Sequence, residues 1–230
     1  MRFTAIALMT LTLAAAPAAA GQKETETVDK TIPFAPGGTL RLKNFSGDVR
    51  ITGTAGKDVV IHATRRARRD RLDNIKLDIQ ARGSSIEIEA NRRDPNWEEK
   101  NENVVETVFD IQVPADTKLD LDAFSSDVTV TDVTADIKAH TFSGKIDLDV
   151  SRAAEYPRIS AETFSGDIKA RVSAGGNGQI DFNTFSGDLR SDLPLTVHGT
   201  SKRNMTADIG SGSGATLRFK TFSGDVRVVR

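Results

Sequence analysis

TFSGDI, residues 163–168, would pass for an ordinary turn if it stood alone. Near-copies recur at 44–49 (NFSGDV), 123–128 (AFSSDV), 141–146 (TFSGKI), 184–189 (TFSGDL) and 221–226 (TFSGDV). Between the phenylalanines of successive copies the intervals are 79, 18, 22, 21 and 37 residues. Three are close to twenty, 37 is nearly two such units and 79 nearly four. Strand content at such a period predicts stacked coils, none of which buries its apolar face alone. Coils about 4.8 Å apart would align equivalent positions into ladders. The hexapeptide is then a repeated corner. Its glycine permits a bend or positive φ, and Thr, Ser and Asp bond local backbone groups. The Val, Ile or Leu that follows starts an inward-facing strand. Ser126 replaces glycine in one copy, so the bend there demands no glycine-only conformation.

The rest of the chain reads as strands. Residues 75–79, 86–89, 109–113, 119–122, 128–131, 146–150 and 180–182 alternate apolar with polar, the pattern of half-buried strands. Gly, Asn, Asp and Pro punctuate them at 36–38, 114–116 and 175–178. Helical periodicity is nearly absent, the best candidate being a turn or two at 65–72. The expected fold is all-β: a solenoid-like, right-handed stack of coils of about 20 residues, with a less regular N-terminal part.

Residues 1–20 carry one cation, Arg2, then an uncharged run ending Ala18-Ala19-Ala20 before Gly21. This is the layout of a secretory signal peptide and predicts cleavage after Ala20. The expected organisation is a leader at 1–20, an N-terminal strand region at 21–113 and a repeat region at 114–230. The last two form one continuous domain, with no membrane span after cleavage.

Composition narrows the function classes. The chain has no cysteine, which excludes disulfides and thiolate chemistry. Its 31 Lys and Arg nearly balance 32 Asp and Glu, which argues against bulk attraction to nucleic acid. Six of the eleven phenylalanines sit in the repeat copies, so the repeat places them.

The run T-x-S-G-D-[VIL] at intervals near twenty resembles the bacterial β-strand-repeat family of unknown function labelled "putative adhesin". Residues 40–51 look like its opening strand pair, and 109–114 like the proline-ended strand before its repeats. Gly210-Ser-Gly212-Ser-Gly214 before 217–225 is similar to its closing pattern. The resemblance implies an exported, elongated β-solenoid or β-roll and carries over no catalytic residue.

Candidate chemistry is sparse. His62, His140 and His198 are isolated, with no metal-ligand spacing. No serine stands in a G-x-S-x-G elbow, and the carboxylates follow strand alternation. No catalytic, cofactor or metal residue is assigned. The corner aspartates Asp48, Asp127, Asp167, Asp188 and Asp225 share a register broken by Lys145. Calcium would relieve their repulsion, but the calcium-binding nonapeptide is missing, so they read as turn aspartates screened by neighbours. Arg65, Arg66, Arg68, Arg69 and Arg71, with Arg92 and Arg93, form the one marked charge asymmetry. That cluster is either a solvated loop paired with Asp70 and Asp73 or a contact for envelope polyanions. Strand parity puts Phe185 outward, and by equivalence Phe124, Phe142, Phe164 and Phe222. Five bare rings are costly, so covered or mutually stacked rings are favoured over a bare stripe. The expected function is a non-catalytic, exported envelope protein, periplasmic or at the cell surface. Its partner would be a polymer, peptide or surface protein and not nucleic acid. The alternative is a carbohydrate-active enzyme on a β-helix.

Overall fold

The computed structural model describes residues 23–93, 104–199 and 201–230, so the expected leader lies outside the described residues. The chain opens with β1 (Glu24–Pro33), β2 (Thr39–Ser46), β3 (Val49–Thr54) and β4 (Asp58–Ala67), followed by a short helix α1 (Arg69–Asn74). Next come β5 (Ile75–Arg82), β6 (Ser85–Arg93), β7 (Glu106–Pro114), β8 (Lys118–Ser125), β9 (Val128–Thr131), β10 (Ile137–Ser143) and β11 (Ile146–Asp149). They are followed by β12 (Ile159–Ser165), β13 (Ile168–Arg171), β14 (Gly178–Ser186) and β15 (Leu189–Ser191). The last four are β16 (Leu195–His198), β17 (Asn204–Ile209), β18 (Ala215–Ser223) and β19 (Val226–Val229). The fold is all-β, as the alternation predicts.

Two sheets hold these strands. The first runs β1-β4-β7-β3-β9-β11-β13-β19-β15 and the second β16-β17-β14-β18-β12-β10-β8-β2-β6-β5. Each F-S-G/S corner joins a strand of the second sheet to one of the first, and successive corners stack in parallel register. Leu119, Ile137, Ile159 and Leu217 align across the second sheet; Val128, Ile146, Ile168 and Val226 align across the first. All eight are buried, because period-two alternation turns one face of every strand into the space between the sheets. One continuous core includes residues from Ile32 to Val228.

The order of the stack differs from the order of the sequence. The layer built by β18 and β19 lies between β12/β13 and β14/β15, so the last repeat is interior. The 79-residue interval does not contain four coils: Asn44 pairs directly with Ala123 and Ser46 with Ser125. The intervening chain instead adds β6 and β7 as a layer without the hexapeptide. Antiparallel β4 and β5 from the same interval close that end on the first and second sheets, and the N-terminal β1 pairs outside β4. The 37-residue interval likewise contributes β16 and β17, an antiparallel pair flanking β14. Such strands pair an edge that would otherwise template association. The helix expected at 65–72 is also displaced. Arg65–Ala67 complete β4, and the helix covers only Arg69–Asn74.

Candidate functional site

Every corner assigns its residues to fixed directions. The residue before phenylalanine points inward: Thr141, Thr163, Thr184 and Thr221 are buried, with Asn44 and Ala123 in the other two copies. Thr141 Oγ1 donates to the carbonyl of Ser126 at 3.1 Å and Thr163 Oγ1 to that of Gly144 at 3.2 Å, tying each layer to its neighbour. The Asn44 amide does the same by donating to the Thr107 carbonyl on β7, and it also donates to the Gly47 carbonyl of its own corner. The layers approach so closely at the glycine that a Cβ on Gly166 would lie 2.0 Å from the carbonyl oxygen of Gly144. Gly166 also has φ +151°, a conformation side chains disfavour. Ser126 has no positive φ, consistent with its tolerance of a side chain.

Three of the five corner aspartates are engaged by the backbone of a neighbouring layer, while Asp48 pairs with Arg50 at 2.8 Å. Asp127 Oδ1 accepts from the Lys145 amide at 2.8 Å, Asp167 Oδ1 from the Asp225 amide at 2.9 Å, and Asp225 Oδ1 from the Asp188 amide at 3.0 Å. Each carboxylate thus caps the next layer's turn. Among the described residues no cluster of three or more His, Cys, Asp or Glu is placed to hold a metal ion.

The phenylalanines point outward, as strand parity requires. Phe45, Phe124, Phe142, Phe164, Phe222 and Phe185 form one continuous row, in that order. Centroids are 4.6–4.9 Å apart and ring planes within 14° of parallel. The rings are mutually stacked but not covered: exposure runs from 42 to 57 %. Stacking hides ring faces from one another, so the row presents edges. At the Phe185 end the Arg203 guanidinium lies 5.4 Å from the ring centroid, a cation–π contact. A shallow groove of about 380 Å³ runs beside the row, lined by His140, Glu162, Asn183 and Lys220. Phe45 belongs to the row as well, beyond the five rings that strand parity assigns outward. Its NFSGDV motif was the available signal, and the 79-residue interval hid its adjacency to Phe124.

A family model described as Toastrack DUF4097 matches residues 18–229. The chain belongs to the Toastrack DUF4097 family. No curated protein matches it in sequence. Among solved structures it is similar to a "putative cell adhesion protein" from Clostridium sporogenes at 14 % identity and TM-score 0.63. That likeness covers 90 % of this chain and 98 % of the other, and it shows a shared fold. A "putative adhesin" from Bacteroides fragilis is 8 % identical, with 89 % and 97 % of the two chains covered and a TM-score of 0.31.

The arginine cluster of this Toastrack chain divides. Arg65 is not on the surface: it is 3 % exposed, ion-paired with Glu26 and bonded to the carbonyl of Ile75. Strand parity explains this, since Val59, Ile61, Ala63, Arg65 and Ala67 all face inward from β4. Burial pulls its pKa below the ordinary arginine value, and Glu26 opposes that shift. Arg66, Arg68 and Arg69 are exposed; Arg68 pairs with Asp70, and Arg69 with Asp73 at 3.2 Å. The three histidines do not converge. His62, His140 and His198 bond Asp29, Asp122 and Asp208 separately, and the His198 bond holds the Asp208 carboxyl below the usual carboxylate range. Among the described residues no helix is long and apolar enough to cross a membrane.

Proposed function

We propose that the chain is an exported, non-catalytic module of the cell envelope, adhesin-like in its role, whose contact surface is the phenylalanine ladder. The observation that carries this reading is the row of six stacked, half-exposed rings. Full burial of one such ring is worth roughly 1.5–3 kcal/mol, so an uncovered row at one edge is a feature a purely structural repeat would shed. Contiguous apolar strips of this kind mark contact sites. The exposed arginines Arg66, Arg68 and Arg69 form a secondary polar contact. The name borne by the similar Clostridium sporogenes protein supports the adhesin-like half of the reading.

In the same reading the strand pairs are successive coils of about twenty residues, wound right-handed like most parallel crossovers. Interlayer bonds that span 18, 19 and 22 residues support that length. The leader at 1–20 would be removed, releasing a chain that starts at or near Gly21 into the periplasm or onto the outer surface.

The test is Phe164→Ser. Unchanged melting temperature with lost binding to envelope components supports a recognition face. A loss of several degrees with binding retained assigns the ring to stability instead. Turnover of any member of a polysaccharide panel, with or without calcium, would replace this reading with the carbohydrate-active alternative.

A further inference from the structure

The second sheet has ten strands, and its midline falls between β10 and β12. The same line divides the ladder into Phe45, Phe124 and Phe142 on one side and Phe164, Phe222 and Phe185 on the other. Residues two and four positions before each phenylalanine share its outer face. They form two columns of charge beside the rings. Within the chain, neighbours down these columns already pair: Asp122 with His140 at 3.0 Å, Glu162 with Lys220 at 2.6 Å, Arg218 with Asp181 at 3.0 Å.

Sign alternation along an even number of layers has a geometric consequence. If the layer order is reversed about the midline, Asp122 falls opposite Lys220, His140 opposite Glu162, and Asp120 opposite Arg218. Arg41 falls opposite Asp181 at the ends of the second column. Lys43 and Lys138 meet the neutral Asn183 and Ser160, so no like charges meet in either column. The sheet is also matched at its two ends, with the antiparallel pair β5/β6 beyond β2 and β16/β17 beyond β14.

We infer that the occupant of the phenylalanine ladder is a second copy of this chain. The two second sheets pack face to face, with layer order reversed about a two-fold axis between β10 and β12. This rests on the reading of the ladder as a contact surface. An isologous interface requires a self-complementary patch, which the two charge columns supply. The ring spacing of 4.6–4.9 Å is that of stacked strands, so a second ladder is commensurate with the first along its whole length. Six half-exposed rings offer on the order of 500 Å² per copy, or about 1,000 Å² for two, which is where specific interfaces begin. Long charged side chains flanking the rings span the gap of about 10 Å between packed sheets.

Sedimentation equilibrium on the purified chain, across a concentration series, reads the interface directly. The expected result is a monomer–dimer equilibrium. Phe142→Ser with Phe164→Ser should weaken it at least tenfold. Asp122→Lys and Lys220→Asp should each weaken it by a similar factor, and the chain carrying both should recover to within a few-fold of the original, since the pair is restored across the axis. Melting temperatures of all variants exclude loss of fold as the cause. A strictly monomeric chain overturns the inference, as does a dimer indifferent to the phenylalanines or a double charge swap weaker than either single. If the chain is monomeric yet Phe164→Ser abolishes envelope binding, the ladder remains a contact surface and only its occupant is wrong. If neither association nor binding responds, both readings fall.

Discussion

Two arginines adjacent in sequence make the residue-scale argument. Arg65 and Arg66 look alike in a basic run, yet one is enclosed with Glu26 and the Ile75 carbonyl while the other faces water. Breaking a buried pair leaves an uncompensated charge, whereas an exposed cation contributes little. Arg65→Ala should therefore cost about 3 kcal/mol in chemical denaturation. Arg66→Ala should change stability by less than about 0.5 kcal/mol. Equal effects would contradict the assignment. The distinction was legible in the parity of Val59, Ile61 and Ala63, but reading 65–71 as a charge run, with a helix over 65–72, obscured it. The corner glycine gives a second case. Gly166→Val requires a side chain where the Gly144 carbonyl lies, so the layers must separate; a loss of several kcal/mol is expected. Gly83 also has positive φ but open space around its Cβ position, so Gly83→Ala should cost only about 1–2 kcal/mol. If the two substitutions prove equivalent, close layer contact is not what selects glycine at the corner.

At the scale of the corner as an element, the aspartate ladder is a row of turn caps. The carboxylates of Asp127, Asp167 and Asp225 each accept a backbone amide from the next layer, and Lys145 interrupts the run of like charge. The ladder has a backbone partner of its own, so EDTA should leave the melting temperature unchanged. Asp167→Ala should cost about 1 kcal/mol, the worth of one hydrogen bond. A drop with EDTA that calcium reverses would show that a cation stabilises the layers. Ser, Gly and Asp in a tight turn predict carboxylates that bond local backbone, but the amides they reach lie in the next layer, 18, 58 and 37 residues away along the chain. What local chemistry does not encode is which copy adjoins which. TFSGDL at 184–189 and TFSGDV at 221–226 are nearly the same words, and nothing in either says that the later one is interior.

At the scale of the whole molecule, that interior position governs how the chain completes itself. β18 pairs in parallel with β12 on one side and β14 on the other, and β19 pairs likewise with β13 and β15. Phe219 lies in register with Phe182 in the core, and Phe222 joins Phe164 to Phe185 in the outer row. A stack built in sequence order would lose only an end layer when its last coil is removed, and repeat proteins tolerate that because each layer contacts only its neighbours. Here the same deletion removes a middle layer and separates β14, β15, β16 and β17 from the rest of both sheets. A chain ending at Gly214 should therefore lose its cooperative thermal transition, or melt as two separate units with most tertiary signal gone. Long-range closure of this kind also predicts slow folding, since β14 must wait for residues made after it. The measurement is near-ultraviolet circular dichroism through a thermal melt of the full and shortened chains. A single transition within a few degrees of the full chain would mean that β12 and β14 can close directly on one another, and that the inserted layer is dispensable to the stack.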